Sequence, residues 1–208
     1  MDKNNLQSSI RESRRIFLEH IWPLWAVELS ATQVISTEDS ERPLEREADL
    51  SGTDAFFVRN SNGVLIPLAS RVEFFDANKN NPFSERYWSH YPRFTVRLAK
   101  ARPDGSLVMN VECQKRLLAL EDPVSRRYLP LFTFQSLVRR QGEGYEVLQS
   151  SRVSTEKLFE YVKDRGLDDL NQGVPSKTRA EQDVYRIVTV EKLRRAGIDV
   201  VAKDCRNL

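Results

Sequence analysis

At 208 residues the chain is long enough for one sizeable core, with room for a small appendage. Its 40% hydrophobic and 30% charged residues make it too apolar for a disordered chain, and a net charge of +2 provides no global field to recruit a nucleic acid or a membrane. Cys113 and Cys205 stand far apart without the extra cysteines or clustered histidines of a zinc site or disulfide framework, and the charged N-terminus lacks a signal's apolar core. With no run of about 20 apolar residues, a cytoplasmic protein without membrane contact is expected.

Residues 6–21 carry Ile10, Phe17, Leu18 and Ile21 at helical spacing, which predicts an amphipathic helix ending near Trp22-Pro23, because a residue before proline is pushed out of helical geometry. Residues 36–51 are strongly charged around Pro43 and read as a loop or broken helix. Asp54–Arg59 and Val64–Phe75 are apolar runs joined by Asn60-Ser61-Asn62-Gly63, a turn composition, and predict a β-hairpin. Residues 76–92 read as loop, Phe94–Lys100 as a third strand, and Pro103-Asp104-Gly105 as a turn.

Residues 107–120 then suit a helix, Pro130–Val138 a strand, Gly142-Glu143-Gly144 a turn, and Tyr145–Leu148 a short strand. Ser154 caps a helix that runs to about Asp164 and stops at Gly166. The expected architecture is α+β, a mixed central sheet with a hairpin, flanked by helices. Residues 1–166 form its core. Residues 167–208 are a linker followed by a small αβ extension packed on that core: Ile187-Val188, a helix near Val190–Ala196, and Ile198–Ala202.

The hairpin holds the most informative chemistry. Alternation puts Ile66, Leu68, Val72 and Phe74 on one face and Ala69, Arg71 and Glu73 on the other, and pairing can bring the Asp54 carboxylate toward that charged face. Two converging carboxylates, Asp54 and Glu73, suit a hard divalent cation such as Mg²⁺ or Mn²⁺, and Arg71 would neutralise charge developing on a phosphodiester. The alternative is a turn aspartate beside an exposed strand pair. Basic groups interleaved with aromatics mark a second set of candidates, Arg86, Trp88 and Arg93, joined by Arg139 and Arg140; these suit phosphate neutralisation and base stacking.

The Gly52-Thr53-Asp54 strand start, the strand carrying Ala69-Ser70-Arg71-Val72-Glu73, and the order helix, hairpin, strand, helix, strand resemble the PD-(D/E)XK nuclease superfamily over about residues 45–140. The resemblance implies that Asp54 binds metal with an acid from the second strand, and that a lysine two positions beyond that acid helps activate water. This chain departs there. If Arg71 replaces the lysine, the acidic position is Ala69; if Glu73 is the acid, Phe75 stands where lysine should be. Members that move a catalytic group to the neighbouring helix make Glu112 and Lys115 candidates, and Gln135 on the following strand is another. The expected function is a Mg²⁺- or Mn²⁺-dependent nuclease acting on DNA, with homodimerisation left open. The alternatives are a nuclease-derived binding module without catalysis and an unrelated interaction protein.

Overall fold

Burial alternates along Ala55–Arg59, a hairpin strand of the larger of two sheets. The computed structural model describes residues 11–37, 53–59, 63–75, 92–102, 104–165 and 182–206. Residues 11–21 are helical (α1), and their last turn, Phe17–Ile21, widens to a π-turn. Trp22 keeps helical angles, and α2, Pro23–Ala26, follows with proline at its first turn, where the missing N–H has no intrahelical role. The helical course therefore runs past Trp22-Pro23, where the sequence predicts an end.

The larger sheet has the order β1-β2-β3-β6-β7-β9. Its strands are β1 (Ala31–Ser36), β2 (Ala55–Arg59), β3 (Leu65–Phe74), β6 (Phe132–Gln141), β7 (Gly144–Ser154) and β9 (Val200–Asp204). All neighbours are antiparallel except β3 and β6. A parallel pair needs a long crossover. Here the crossover contains β4 (Arg93–Ala101), β5 (Leu107–Met109) and α3 (Val111–Glu121). A smaller sheet, β5-β4-β8, is completed by β8 (Gln182–Thr189). Two further helices, α4 (Thr155–Asp164) and α5 (Val190–Arg195), follow β7 and β8.

The protein is thus α+β with a mixed sheet, and the predicted hairpin is β2–β3, with Ala55 opposite Leu68 and Val58 opposite Leu65. Gly63, at φ 61°, supplies left-handed backbone beside the turn. Pro67 is tolerated because its missing N–H points to the β6 side, where β6 begins pairing only at Phe132 opposite Leu68; there the Pro67 carbonyl accepts from Leu131 N at 2.8 Å.

Several expectations are corrected. Phe94–Lys100 is a strand, but β4 belongs to the smaller sheet and not to the hairpin's. Residues 107–109 are strand β5, because Asn110, extended at φ −63° and ψ 134°, caps the helix by accepting from Glu112 N and Cys113 N. The short strand at Tyr145–Leu148 is the start of the 11-residue β7. β8 and β9 are hydrogen-bonded members of the two sheets. Phe74, expected inside, is 42% exposed, while Phe75 is buried. The expectations for residues 1–10, 38–52, 60–62, 76–91 and 166–181 concern segments outside the described residues.

Each face of the larger sheet has its own core. On one, Ala55, Phe57, Leu68, Phe134 and Val138 pack against Ile16, Phe17, Ile21, Trp22 and Trp25 of the N-terminal helices. On the other, Val153 joins β4, α3, α4 and α5 through Phe94, Leu98, Cys113, Leu158, Phe159 and Leu193. The first core contains a polar relay. Trp25 Nε1 donates to Ser150 Oγ at 2.8 Å, and Ser150 Oγ shares a second 2.8 Å bond with Ser136 Oγ across the β6–β7 ladder. Ser150→Ala strands the buried indole N–H and should lower unfolding free energy by about 1–3 kcal/mol. Ser136→Ala leaves the indole bond in place and should lose about 0.5–1.5 kcal/mol. Urea unfolding measures both, and equal losses would contradict the relay.

Candidate active site around Asp54

Asp54 stands just before β2, and each of its polar groups has a defined partner. Its N–H donates to Leu68 O at 2.9 Å, and its carbonyl accepts from Thr37 N at 3.2 Å and Thr37 Oγ1 at 3.0 Å. With the carbonyl so engaged, the next N–H of β3 on this side, Ser70, bonds the carboxylate instead, reaching Oδ2 at 2.6 Å. The side chain thereby extends the ladder one step beyond the last β2 residue. Continuing the register from Ala55 and Leu68 sets Asp54 opposite Ala69. Asp54, Ala69, Arg71 and Glu73 consequently share the face turned away from the Trp25 core.

The other carboxylate oxygen, Oδ1, lies 3.4 Å from Arg14 Nη2, which α1 brings to the sheet. The carboxylate also feels Arg116 and Glu112 of α3. Burial raises the Asp54 pKa to about 6; the Ser70 N–H, Arg14 and Arg116 pull it down, and the negative charge of Glu112 pushes it up. Glu112 reaches Arg116 Nη2 at 2.6 Å, and the 7%-exposed Arg116 side chain lies with its guanidinium 5.2 Å from the Phe159 ring centre. One helical turn thus presents a half-exposed acid and a buried cation beside Asp54.

The structure does not bring Glu73 to Asp54. Glu73 is four residues beyond Ala69 along β3, a separation of about 14 Å at the usual strand rise. Its carboxylate is held by Arg93 Nη2 at 3.1 Å and Thr95 Oγ1 at 2.8 Å. Arg71 occupies the middle of the face, its Nη1 3.4 Å from Thr95 O. Gln135, beside Arg71 in the β3–β6 ladder, accepts from Thr95 N at 3.2 Å. β4 therefore rests on the larger sheet through Arg71 and Glu73 of β3 and Gln135 of β6.

Lys115 is exposed, and the cation of α3 that acts on Asp54 is Arg116. Arg139 pairs with Glu146 directly across the β6–β7 ladder, and Arg140 lies 5.9 Å from the Tyr145 ring centre, both at the far end of β6. Arg86 and Trp88 lie outside the described residues. Arg14, Ser70, Thr95 and Arg116 are site residues that spacing alone does not single out; the i,i+4 relation of Glu112 and Arg116 was the available signal for the last. Asp54 and Glu112 offer only oxygen donors, the chemistry that Mg²⁺ and Mn²⁺ prefer. Among the described residues no group of three or more His, Cys, Asp or Glu side chains converges to hold a metal. Among them, too, no helix is long and apolar enough to cross a membrane.

No protein-family model matches the chain, and no curated protein or solved structure does.

The raised Asp54 pKa has a signed consequence for the metal-free protein. A folded-state value near 6 against an ordinary 3.8 means the folded state holds this proton more tightly, so stability should fall as pH rises from about 4 through 6. At neutral pH the ionised carboxylate should cost up to about 3 kcal/mol. Asp54→Asn keeps an oxygen for Ser70 N and removes the titration. Chemical unfolding of both proteins in a chelator from pH 4 to 7.5 should show wild type losing stability relative to the variant as pH rises; a pH-independent difference would contradict burial as the cause.

Proposed function

We propose that this protein is a nuclease-like domain that uses a divalent cation at Asp54 and Glu112 to hydrolyse phosphodiester bonds in DNA. The carrying observation is the placement of Asp54. A carboxylate at the mouth of the β2–β3 hairpin, raised in pKa, faces an acid and an arginine on the crossover helix that leads into the parallel neighbour of β3. The element order helix, hairpin, crossover helix and parallel strand supports the resemblance to the PD-(D/E)XK superfamily.

A divalent ion bound there supplies Lewis-acid polarisation of the phosphodiester and activation of water. The chain's own groups have separate tasks. Ser70 N fixes one oxygen of Asp54 and so aims the other. Arg14 balances the charge of Asp54 in the free protein, Arg116 offsets that of Glu112, and Arg71, which donates to Thr95 O on the same face of β3, would meet negative charge developing on phosphate. Glu73 serves here by seating Arg93 and Thr95.

One observation favours a second reading, a nuclease-derived DNA-binding module: Ala69 stands opposite Asp54 where a second strand acid would complete the site. Incubating purified protein with supercoiled and single-stranded DNA in Mg²⁺ or Mn²⁺ separates the two. The nuclease reading expects cleavage that drops by roughly 10²-fold or more in Asp54→Asn, and by a similar factor in Arg71→Ala, with folding unchanged. Intact DNA under both metals, with binding that weakens as salt rises, would leave the binding module.

A further inference from the structure

The two oxygens of the Asp54 carboxylate are held differently, and the difference bears on how a cation reaches them. Oδ2 accepts Ser70 N at 2.6 Å, while Oδ1 faces Arg14 Nη2 at 3.4 Å. Of the charged groups around the carboxylate, Arg14 acts on it most strongly. A Mg²⁺ ion bonds a carboxylate oxygen at about 2.1 Å, well inside the distance at which the guanidinium sits. The ion and Arg14 are like charges drawn to one oxygen, so each weakens the hold of the other.

The helix that carries Arg14 is fixed on the sheet, so the side chain is the part that can move. Two residues on, Ile16 and Phe17 are fully buried in the Trp25 core, and on the other side of Arg14 the Glu12 carboxylate accepts from the Tyr145 hydroxyl of β7. Between these anchors the Arg14 side chain reaches Asp54 with 16% of its surface in contact with solvent. The second cation that acts on Asp54 is more firmly held. Arg116 is bonded to Glu112 at 2.6 Å, and its guanidinium lies 5.2 Å from the Phe159 ring centre. Arg14 is therefore the cation that yields when another approaches Oδ1.

We infer that Arg14 is the resident counter-ion of the Asp54 seat: its guanidinium holds Oδ1 in the free protein and must swing off it before a divalent cation binds. Cation occupancy and the Arg14–Asp54 pair then exclude one another, and the strength of that pair sets the affinity of the seat. The inference rests on the reading of Asp54 as a metal ligand, and it assigns Arg14 to control of that seat and not to the chemical step.

The test titrates Mn²⁺ into the full chain without DNA and follows the free ion by its electron paramagnetic resonance signal. Arg14→Gln removes the competing cation and should tighten Mn²⁺ binding at least about tenfold, a gain that disappears when Asp54→Asn is added. Arg15→Gln is the control for net charge, because Arg15 is exposed and pairs with Glu19; it should stay within about twofold of wild type. Near-ultraviolet circular dichroism checks folding, and Arg14→Met, which keeps the apolar stem, carries the same test if glutamine disturbs it. If Arg14→Gln binds Mn²⁺ no more tightly than Arg15→Gln while Asp54→Asn abolishes binding, the counter-ion role is overturned and the metal seat stands. If Asp54→Asn binds as wild type does, or if neither wild type nor Arg14→Gln binds, both fall. If the Asp54-dependent gain is seen but no DNA is ever cleaved, the counter-ion role stands and the nuclease reading falls.

Discussion

The site depends on the register of the β2–β3 hairpin, and the bond from Ser70 N to the Asp54 carboxylate marks where that register ends. A slip of β3 by one residue would turn Arg71 and Glu73 into the Trp25 core and Leu68 and Val72 toward the polar side chains of β4. Burial of Leu68 against the Phe17–Trp22 core disfavours this, because Leu68 and Val72 would lose their apolar neighbours while two charged side chains took their place. The hydrophobic face thus fixes the polar one: with Leu68 held inward, Asp54 must lie opposite Ala69, and Arg71 must point to β4.

The crossover needed by the parallel β3–β6 pair provides the rest of the site. A chain leaving β3 must return to the start of β6, and on the way it lays β4 over Arg71 and Glu73 and sets the first turns of α3 beside Asp54. Asn110 ends β5 and caps α3, so the position of Glu112 follows from that cap. Arg116, one turn later, is buried over Phe159 and cannot be moved without disturbing α4. The charges at Asp54 are therefore held by elements whose packing serves the core.

Much of this was legible in the sequence where local pattern decides. Alternation along Leu65–Phe74 and the turn before Gly63 defined the hairpin; Ser154 defined the start of α4. Asp54 was recognisable as the acid at a strand start. What depends on tertiary pairing was not. Nothing local tells that β4 leaves the hairpin's sheet for a smaller one, or that β8 and β9 complete different sheets. Leu107–Met109 merges with the apolar positions of α3, so β5 was hidden inside a helical pattern. Glu73 looked like the partner of Asp54 because both are acidic and on one face, but face is set by alternation, whereas distance is set by register. The basic stretch at Arg139 and Arg140 read as a nucleic-acid contact, yet Arg139 is held by Glu146 in its own hairpin.

A crystal of the protein grown or soaked with Mn²⁺ and measured at the manganese absorption edge tests whether Asp54 binds a divalent cation. A cation held by Asp54 should give an anomalous peak within coordination distance of its carboxylate, on the side of Glu112, with Arg14 drawn away from Oδ1. A saturating soak that shows no peak there, with Arg14 still seated on Asp54, would contradict it.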